Sequence, residues 1–264
     1  MANFRVYNAN LNRFPVVVDL PHSGTKITSS MAQQLLPTAI LANTDWFLRE
    51  LYDFLPKLGF TVLENNLNRY LIDPNRDPKE KLSGTYYHLI YAQNTFGHPL
   101  YKWPLSPLEI DSRINQYYKP YHQQLDALLK NKLAVFGKVL LLDLHSFAEY
   151  THSTTKPTAD VVLGNDFNQT ASQATLAEFK QLFKAQNYTV EENFPFRGGY
   201  ITRHYGSQTG VQALQIELRY NQYIGKRFFD EEVLNGWDPS TFNCTKQRLQ
   251  KIFETLTIGL NESN

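Results

Sequence analysis

Residues 138–147 read Lys-Val-Leu-Leu-Leu-Asp-Leu-His-Ser-Phe, and this stretch decides the fold. Its apolar run, Val139 to Leu142, follows Gly137 and leads into Asp143, His145 and Ser146, the pattern of a strand buried on both faces in a parallel sheet. The polar residues crowd one end. In an open α/β sheet ligands bind at the carboxyl ends of the strands, so this strand delivers its polar groups to the edge where chemistry is done. Residues 14–24, Phe-Pro-Val-Val-Val-Asp-Leu-Pro-His-Ser-Gly, repeat the arrangement, with three valines running into Asp19, His22 and Ser23. Two buried strands that each carry a histidine to one edge predict a metal site.

Outward from these strands, the pattern predicts a short helix over Ser29–Leu36, stopped by Pro37. A second helix is capped by Thr44, with Asp45 in its first turn and an apolar stripe from Phe47 to Leu55. Short strands are expected at Phe60–Leu63 and Arg69–Ile72, and the Pro-Asn-Arg-Asp-Pro loop follows at residues 74–78. Residues 78–104, rich in Gly, Pro, Tyr and His without periodicity, read as an irregular excursion over the sheet edge. Ser106-Pro107-Leu108-Glu109 opens a long helix that Pro120 should kink. Beyond the central strand come a strand at Asp160–Leu163, a helix at Thr170–Ala185 and a peripheral strand at Tyr188–Glu191. The glycine pair of Arg197–Gly206 implies a tight turn or a close approach to a ligand. In Val211–Arg219, alternation sets Gln215 and Glu217 on one face and Leu214, Ile216 and Leu218 on the other. A covering helix over Thr241–Leu260 ends the chain. The expectation is an α/β fold, residues 1–264 forming a single domain with a mixed, largely parallel sheet flanked by helices.

Composition narrows the function. Lys plus Arg (26) balance Asp plus Glu (25), so the overall field favours neither nucleic acid nor an anionic membrane. The lone Cys244 builds neither an internal disulfide nor a thiolate cluster, which suits a reducing compartment. The N-terminal segment has no apolar core of a signal peptide, and a cytoplasmic protein is expected. Gly-x-Ser-x-Gly, His-Glu-x-x-His, Gly-x-Gly-x-x-Gly and the P-loop signature are all missing.

A catalytic zinc takes three protein ligands of His and carboxylate type plus a water whose pKa falls to about 7. His22, His145 and one carboxylate satisfy this requirement. Asp45 is a candidate third ligand, although an aspartate in a first helical turn is also favoured by the helix dipole alone. Asp143 shares the face of His145 and either fixes its tautomer or caps a neighbouring loop. Glu217 is either a general base or the partner of Arg219 or another arginine. Arg69, Arg76, Arg113, Arg197, Arg203 and Arg219 cluster around these motifs, which points to a small anionic substrate held through planar guanidinium groups.

Taken in order, Leu20–Gly24, Thr44–Trp46, Asn68–Arg76, Leu142–Ser146, Arg197–Gly206 and Gln215–Leu218 resemble the motifs of the N-formylglutamate amidohydrolases, over residues 14–225. The resemblance implies a phosphorylase/hydrolase-like fold related to zinc carboxypeptidases, one catalytic zinc, and hydrolysis of N-formyl-L-glutamate to formate and L-glutamate, a late step of histidine degradation. It implies His22, Asp45 and His145 as zinc ligands and Glu217 as the base that activates the water. Arg69, Asn75, Arg76 and Arg203 would take the substrate. Asn68 stands where the family has Ser, and Pro74 where it has Leu, which bears on the substrate and leaves as an alternative a related metallo-deacylase acting on another N-acyl amino acid. A separate alternative is a metal-free binding protein that has lost catalysis, against which both histidines and Glu217 argue. No oligomeric state follows from the sequence.

Overall fold

The central strand runs from Val139 to Phe147 and lies in the middle of a seven-stranded sheet. The structure, a computed structural model, describes residues 2–79, 83–85, 88–148, 159–225 and 233–262. In chain order the elements are β1 (Phe4–Tyr7), β2 (Val16–Leu20), α1 (Ser29–Gln34), α2 (Leu48–Leu51), α3 (Leu55–Leu58), β3 (Thr61–Asn65), β4 (Ser83–Gly84) and β5 (Ile90–Tyr91). They continue with α4 (Pro107–Arg113), α5 (Lys119–Phe136), β6 (Val139–Phe147), β7 (Val161–Gly164), α6 (Gln173–Ala185), β8 (Val190–Glu192), α7 (Tyr200–Gly206), β9 (Val211–Arg219) and α8 (Pro239–Glu262). The sheet order is β1-β3-β2-β6-β9-β7-β8, with β1 and β7 antiparallel to their inner neighbours and the remaining pairs parallel. The mixed, largely parallel sheet is thus as expected.

The sheet is covered on both faces. Leu142, Leu144, Leu214 and Ile216 pack with Leu249, Ile252 and Phe253 of α8 and Phe179 of α6, while Leu141 and Ala213 pack with Leu125 and Leu128 of α5 and Ile201 of α7. Each fully buried Leu, Ile or Phe contributes roughly 1.5–3 kcal/mol by leaving water. Because side chains alternate along a strand, the residues that share the α5/α7 face with Leu141 are Asp143 and His145. Register then lines up polar partners: Asp19 lies beside Asp143, Asp143 beside Gln215, and His145 beside Glu217.

Several expectations need correction. Thr44 caps no helix: α2 begins only at Leu48, its N-cap is Phe47, and Asp45 lies in an irregular segment in which Asn43, Asp45 and Phe47 all have positive φ. Arg69–Ile72 forms turns instead of a strand: Arg69 lines the cleft, while Tyr70, Leu71 and Ile72 pack into hydrophobic clusters away from the sheet. Residues 200–206, read from their glycines as a turn, continue into α7, and the N-terminal edge strand β1 has no counterpart in the sequence reading. The excursion from residue 78 contains the two-residue strands β4 and β5, and its positions 80–82 and 86–87 lie outside the described residues.

Pro120 produces a π turn at Ile114–Tyr118 that joins α4 to α5. Proline has no N–H for the Gln116 carbonyl one turn back, and the Asn3 side chain donates to that carbonyl instead, at 2.9 Å. Among the described residues no helix is long and apolar enough to cross a membrane.

Candidate metal centre and active site

His145 leaves the carboxyl end of β6, and His22 sits in the turn after β2. That turn is held by Ser23, whose hydroxyl lies 2.9 Å from the carbonyl oxygens of Leu20 and Asn65. Gly24 is required there, since a Cβ would lie 2.2 Å from the Asn66 carbonyl carbon. Asp45 approaches from the segment before α2, and its Oδ2 accepts from the Ser146 backbone N–H at 3.2 Å. With Asp45 outside any helical turn, the helix dipole has no part in placing it. Its backbone, at φ 28, is held in a conformation that non-glycine residues seldom adopt and that recurs at functional sites.

Three atoms converge: His145 Nδ1 is 3.2 Å from His22 Nδ1 and 3.1 Å from Asp45 Oδ2, and His22 Nδ1 is 3.5 Å from that same oxygen. Ligands at about 2.0–2.1 Å from a tetrahedral zinc lie about 3.3 Å from one another, so the triangle has the size that such an ion requires. The far nitrogens explain which atoms face inward. His22 Nε2 is 2.7 Å from Asp73 Oδ1, and His145 Nε2 is 2.8 Å from Asp143 Oδ1. A carboxylate only accepts, so each neutral ring keeps its proton at Nε2 and points the Nδ1 lone pair into the triangle. Two buried lone pairs and a carboxylate facing one another call for positive charge. Burial opposes protonation of His145, yet Asp143, Asp45 and Glu217 overcome it and raise its pKa well above the ordinary range. Burial likewise works against ionisation of Asp45, but His22 and His145 hold its carboxyl below the usual carboxylate range. Two imidazoles and a carboxylate, all buried, fit a divalent first-row metal such as zinc.

Asp73, which the sequence reading passed over, organises the other side. Its Oδ1 accepts from the Asn75 N–H at 2.8 Å in addition to facing His22, and its Oδ2 accepts from Arg69 Nη2 at 2.8 Å and from the Tyr91 hydroxyl. Burial would raise its pKa, but Arg69, His22 and Arg76 keep it well below the ordinary value. Its position four residues after Arg69, inside the same motif, is the signal that could have found it. Arg69 Nη1 also lies 3.4 Å from Asp45 Oδ1, so this guanidinium bridges the metal triangle to Asp73.

Glu217 faces His145 across β6 and β9, and its Oε1 accepts from Gln215 Nε2 at 2.9 Å. Gln215 Oε1 in turn accepts from the Gly199 N–H at 2.6 Å, which ties the glutamate to the glycine turn before α7. Gly199 has no room for a side chain, because a Cβ would lie 2.3 Å from the Asn75 amide. Burial pushes the Glu217 carboxyl up to about 8; His145 and Arg69 oppose the shift, and Asp45 and Asp143 add to it. Ser146, the serine next to His145, accepts from the Tyr223 hydroxyl at 2.9 Å.

His22, Asp45, Arg69, His145, Gln215 and Glu217 line one cleft of about 420 Å³ that also includes Asn75, Arg76, Arg197 and Arg203. Of the arginines singled out by sequence, Arg113 lies elsewhere, donating to the Leu71 carbonyl at 3.0 Å and pairing with Glu109 at 2.7 Å, and Arg219 does not line the cleft. Asn75 Oδ1 accepts from the Ile201 N–H at 2.8 Å, and its Nδ2 is 3.1 Å from His145 Nε2. The carbonyls on either side of Asn75 are held as well: His122 Nε2 is 2.9 Å from the Pro74 oxygen, and the Tyr118 hydroxyl donates to the Arg76 oxygen at 2.8 Å.

His122 makes this brace sensitive to acid. Burial lowers its pKa from 6.5 to about 4, against the raising effect of the Pro74 carbonyl. The unfolded chain therefore binds a proton that the fold refuses between these two values, so the stability is full above about pH 6.5 and falls as the pH drops towards 4, by up to about 3 kcal/mol. Urea unfolding of the wild type and of His122→Gln across this range should show the shallower decline in the variant. Parallel declines would exclude His122 as the source.

The sequence profile of the N-formylglutamate amidohydrolases matches residues 14–224 of this chain. An N-formylglutamate deformylase of Pseudomonas aeruginosa is 30% identical over 253 residues, covering 92% of this chain and 93% of its own. Another, of Pseudomonas putida, is 33% identical over 229 residues, covering 83% and 85%. The crystal structure of the N-formylglutamate amidohydrolase from Ralstonia eutropha superimposes with a TM-score of 0.84 over the full length of both chains at 24% identity, which establishes the shared fold. With two thirds or more of the chain matched by profile and by relatives alike, and with the six motifs gathered around one cleft, this protein belongs to the N-formylglutamate amidohydrolase family.

Proposed function

We propose that this protein is a hydrolase that cleaves N-formyl-L-glutamate to formate and L-glutamate, the whole chain acting as one catalytic α/β domain. The observation that carries this reading is the triangle of His22 Nδ1, His145 Nδ1 and Asp45 Oδ2, with separations of 3.1–3.5 Å, at the floor of an arginine-lined cleft beside a buried glutamate. The names of the two Pseudomonas relatives supply the substrate. A zinc ion held by these three residues supplies a Lewis acid for the formyl oxygen and lowers the pKa of the attacking water.

The protein's own groups do the rest. Gln215 engages Glu217 Oε1 and leaves Oε2 to accept the proton of the attacking water. Glu217, whose ionised form a cation on the neighbouring triangle would favour against the effect of burial, takes that proton as the oxygen adds to the formyl carbon, then returns it to the amide nitrogen as the C–N bond breaks, so that formate and the free amine leave. Arg69, oriented by Asp73 and Asp45, stabilises the charge that develops on the formyl oxygen. Asn75, Arg76 and Arg203 bind the amino-acid portion, the arginines through its α-carboxylate.

Release of formate from N-formyl-L-glutamate, measured with zinc and with a chelator, tests the proposal. Turnover that needs zinc and is lost on chelation is the expected result. Zinc bound without formate release, together with turnover of a different N-acyl amino acid, would move the substrate to the metallo-deacylase alternative; failure to bind any divalent metal would favour a binding protein.

A further inference from the structure

The cleft arginines differ in depth. Side-chain exposure rises from 8% at Arg69 to 22% at Arg76 and 56% at Arg197. The first two neighbour Asp73, at 2.8 Å and 3.9 Å, and so belong to the floor with the metal triangle. Arg197 stands at the outer end, where Arg203 is exposed as well. Its Nε is 3.4 Å from Asp166 Oδ1, and among the described residues its terminal nitrogens donate to no carboxylate or carbonyl.

Much structure is devoted to placing Arg197, exposed as it is. The Asp166 N–H donates to the Arg197 carbonyl at 2.7 Å, and Gly164 admits no Cβ because one would lie 2.7 Å from the Arg197 carbonyl carbon. Asp166, Phe167 and Asn168 form a left-handed turn, with φ of 46, 55 and 69°, which L-residues rarely adopt in succession. Side-chain amides hold it: Asn193 Oδ1 accepts from the Asn165 N–H at 2.9 Å and the Phe167 N–H at 3.3 Å, and Asn165 Nδ2 donates to Asn168 at 2.8 Å. None of these groups touches the metal triangle or Glu217. They grip Arg197 by both its backbone and its side chain, on the wall where Phe147 and Phe196 pair at 5.1 Å and present an apolar surface.

We propose that Arg197 recognises the side-chain carboxylate of a dicarboxylic amino-acid substrate, with the intervening methylenes lying over Phe147 and Phe196, and that Asp166 is the positioning residue for its guanidinium. This rests on the reading of the cleft as an N-acyl amino-acid site. It makes Arg197 the residue that separates an acidic side chain from its neutral amide counterpart, since a guanidinium gains a charge-assisted hydrogen bond only with the former. Asp77, the other acid at the exposed part of the cleft, already accepts from the Lys79 N–H at 2.8 Å.

Calorimetric binding of L-glutamate and L-glutamine to the zinc-loaded protein tests this without turnover. The wild type should prefer glutamate. Arg197→Met should weaken glutamate binding by about 10- to 100-fold and barely change glutamine binding; Arg197→Lys should recover part of the loss, and Asp166→Asn should show a smaller loss confined to glutamate. Absence of a wild-type preference, or equal losses with both ligands, would overturn the assignment. If the wild type failed to hydrolyse N-formyl-L-glutamate and yet bound glutamate through Arg197, the recognition would stand and the reaction would fall.

Discussion

Glu217→Gln should lower kcat for formate release by about 10²- to 10⁴-fold, the contribution of a positioned general acid–base, with KM and zinc content little changed. The substitution keeps the size of the side chain and its place in β9 beside His145. The new amide oxygen can still accept from Gln215 Nε2, now at 2.9 Å from Oε1, so the link to Gly199 survives and the cleft keeps its shape. What is lost is the ability to take a proton from water and return it to the leaving nitrogen. Steady-state kinetics together with plasma-emission metal analysis separate the possibilities. An unchanged kcat would remove Glu217 from the chemistry, and a parallel loss of zinc would make it a support for the metal site instead.

The second large effect is expected at His145. His145→Ala should weaken zinc binding by more than about 100-fold, because loss of a supporting partner alone typically costs 10- to 100-fold and here a ligand goes as well. Activity should fall below detection. The same change removes the Nε2 partner of Asp143 Oδ1 at 2.8 Å, while Thr202 still donates to Oδ2, and loss of a buried hydrogen bond to a charged group destabilises by about 1.5–3 kcal/mol. Asp45→Asn is the gentler companion: it preserves volume and weakens the metal site while leaving Asp143 its partner. Metal titration followed by the melting temperature reads both. In the wild type, zinc at a hundred times its Kd should add about 2.7 kcal/mol of stability, and this gain should vanish in either variant. A full zinc-dependent shift in Asp45→Asn would show that the third ligand lies elsewhere.

The sequence by itself determined the strands whose burial is written in their composition. Val16–Leu20 and Val139–Phe147 are apolar runs that fit a doubly covered sheet and whose polar ends locate the reactive edge, and Val211–Arg219 alternates so that Glu217 shares a face with Gln215. His22, His145 and Glu217 were legible for that reason, and the helices with clear caps, such as the one opened by Ser106, were legible from local hydrogen-bond chemistry. Arg69–Ile72 misled because an arginine followed by three apolar residues is compatible with a strand or with a buried turn, and only the Asp73 contacts decide between them.

Tertiary structure alone decided how the pieces meet. Pairing of β6 with β9 in a register that sets His145 beside Glu217 depends on strands more than sixty residues apart, and no local pattern encodes it. Asp45 owes its place in the triangle with His22 and His145 to a positive-φ segment held by Ser146 and Arg69, whereas its sequence context reads as an ordinary helix start. Asp73 and Asp143 choose the inward-facing nitrogen of each imidazole. Burial and charge are properties a residue type carries with it; the direction of a lone pair depends on what stands opposite, and that is known only once the chain has folded.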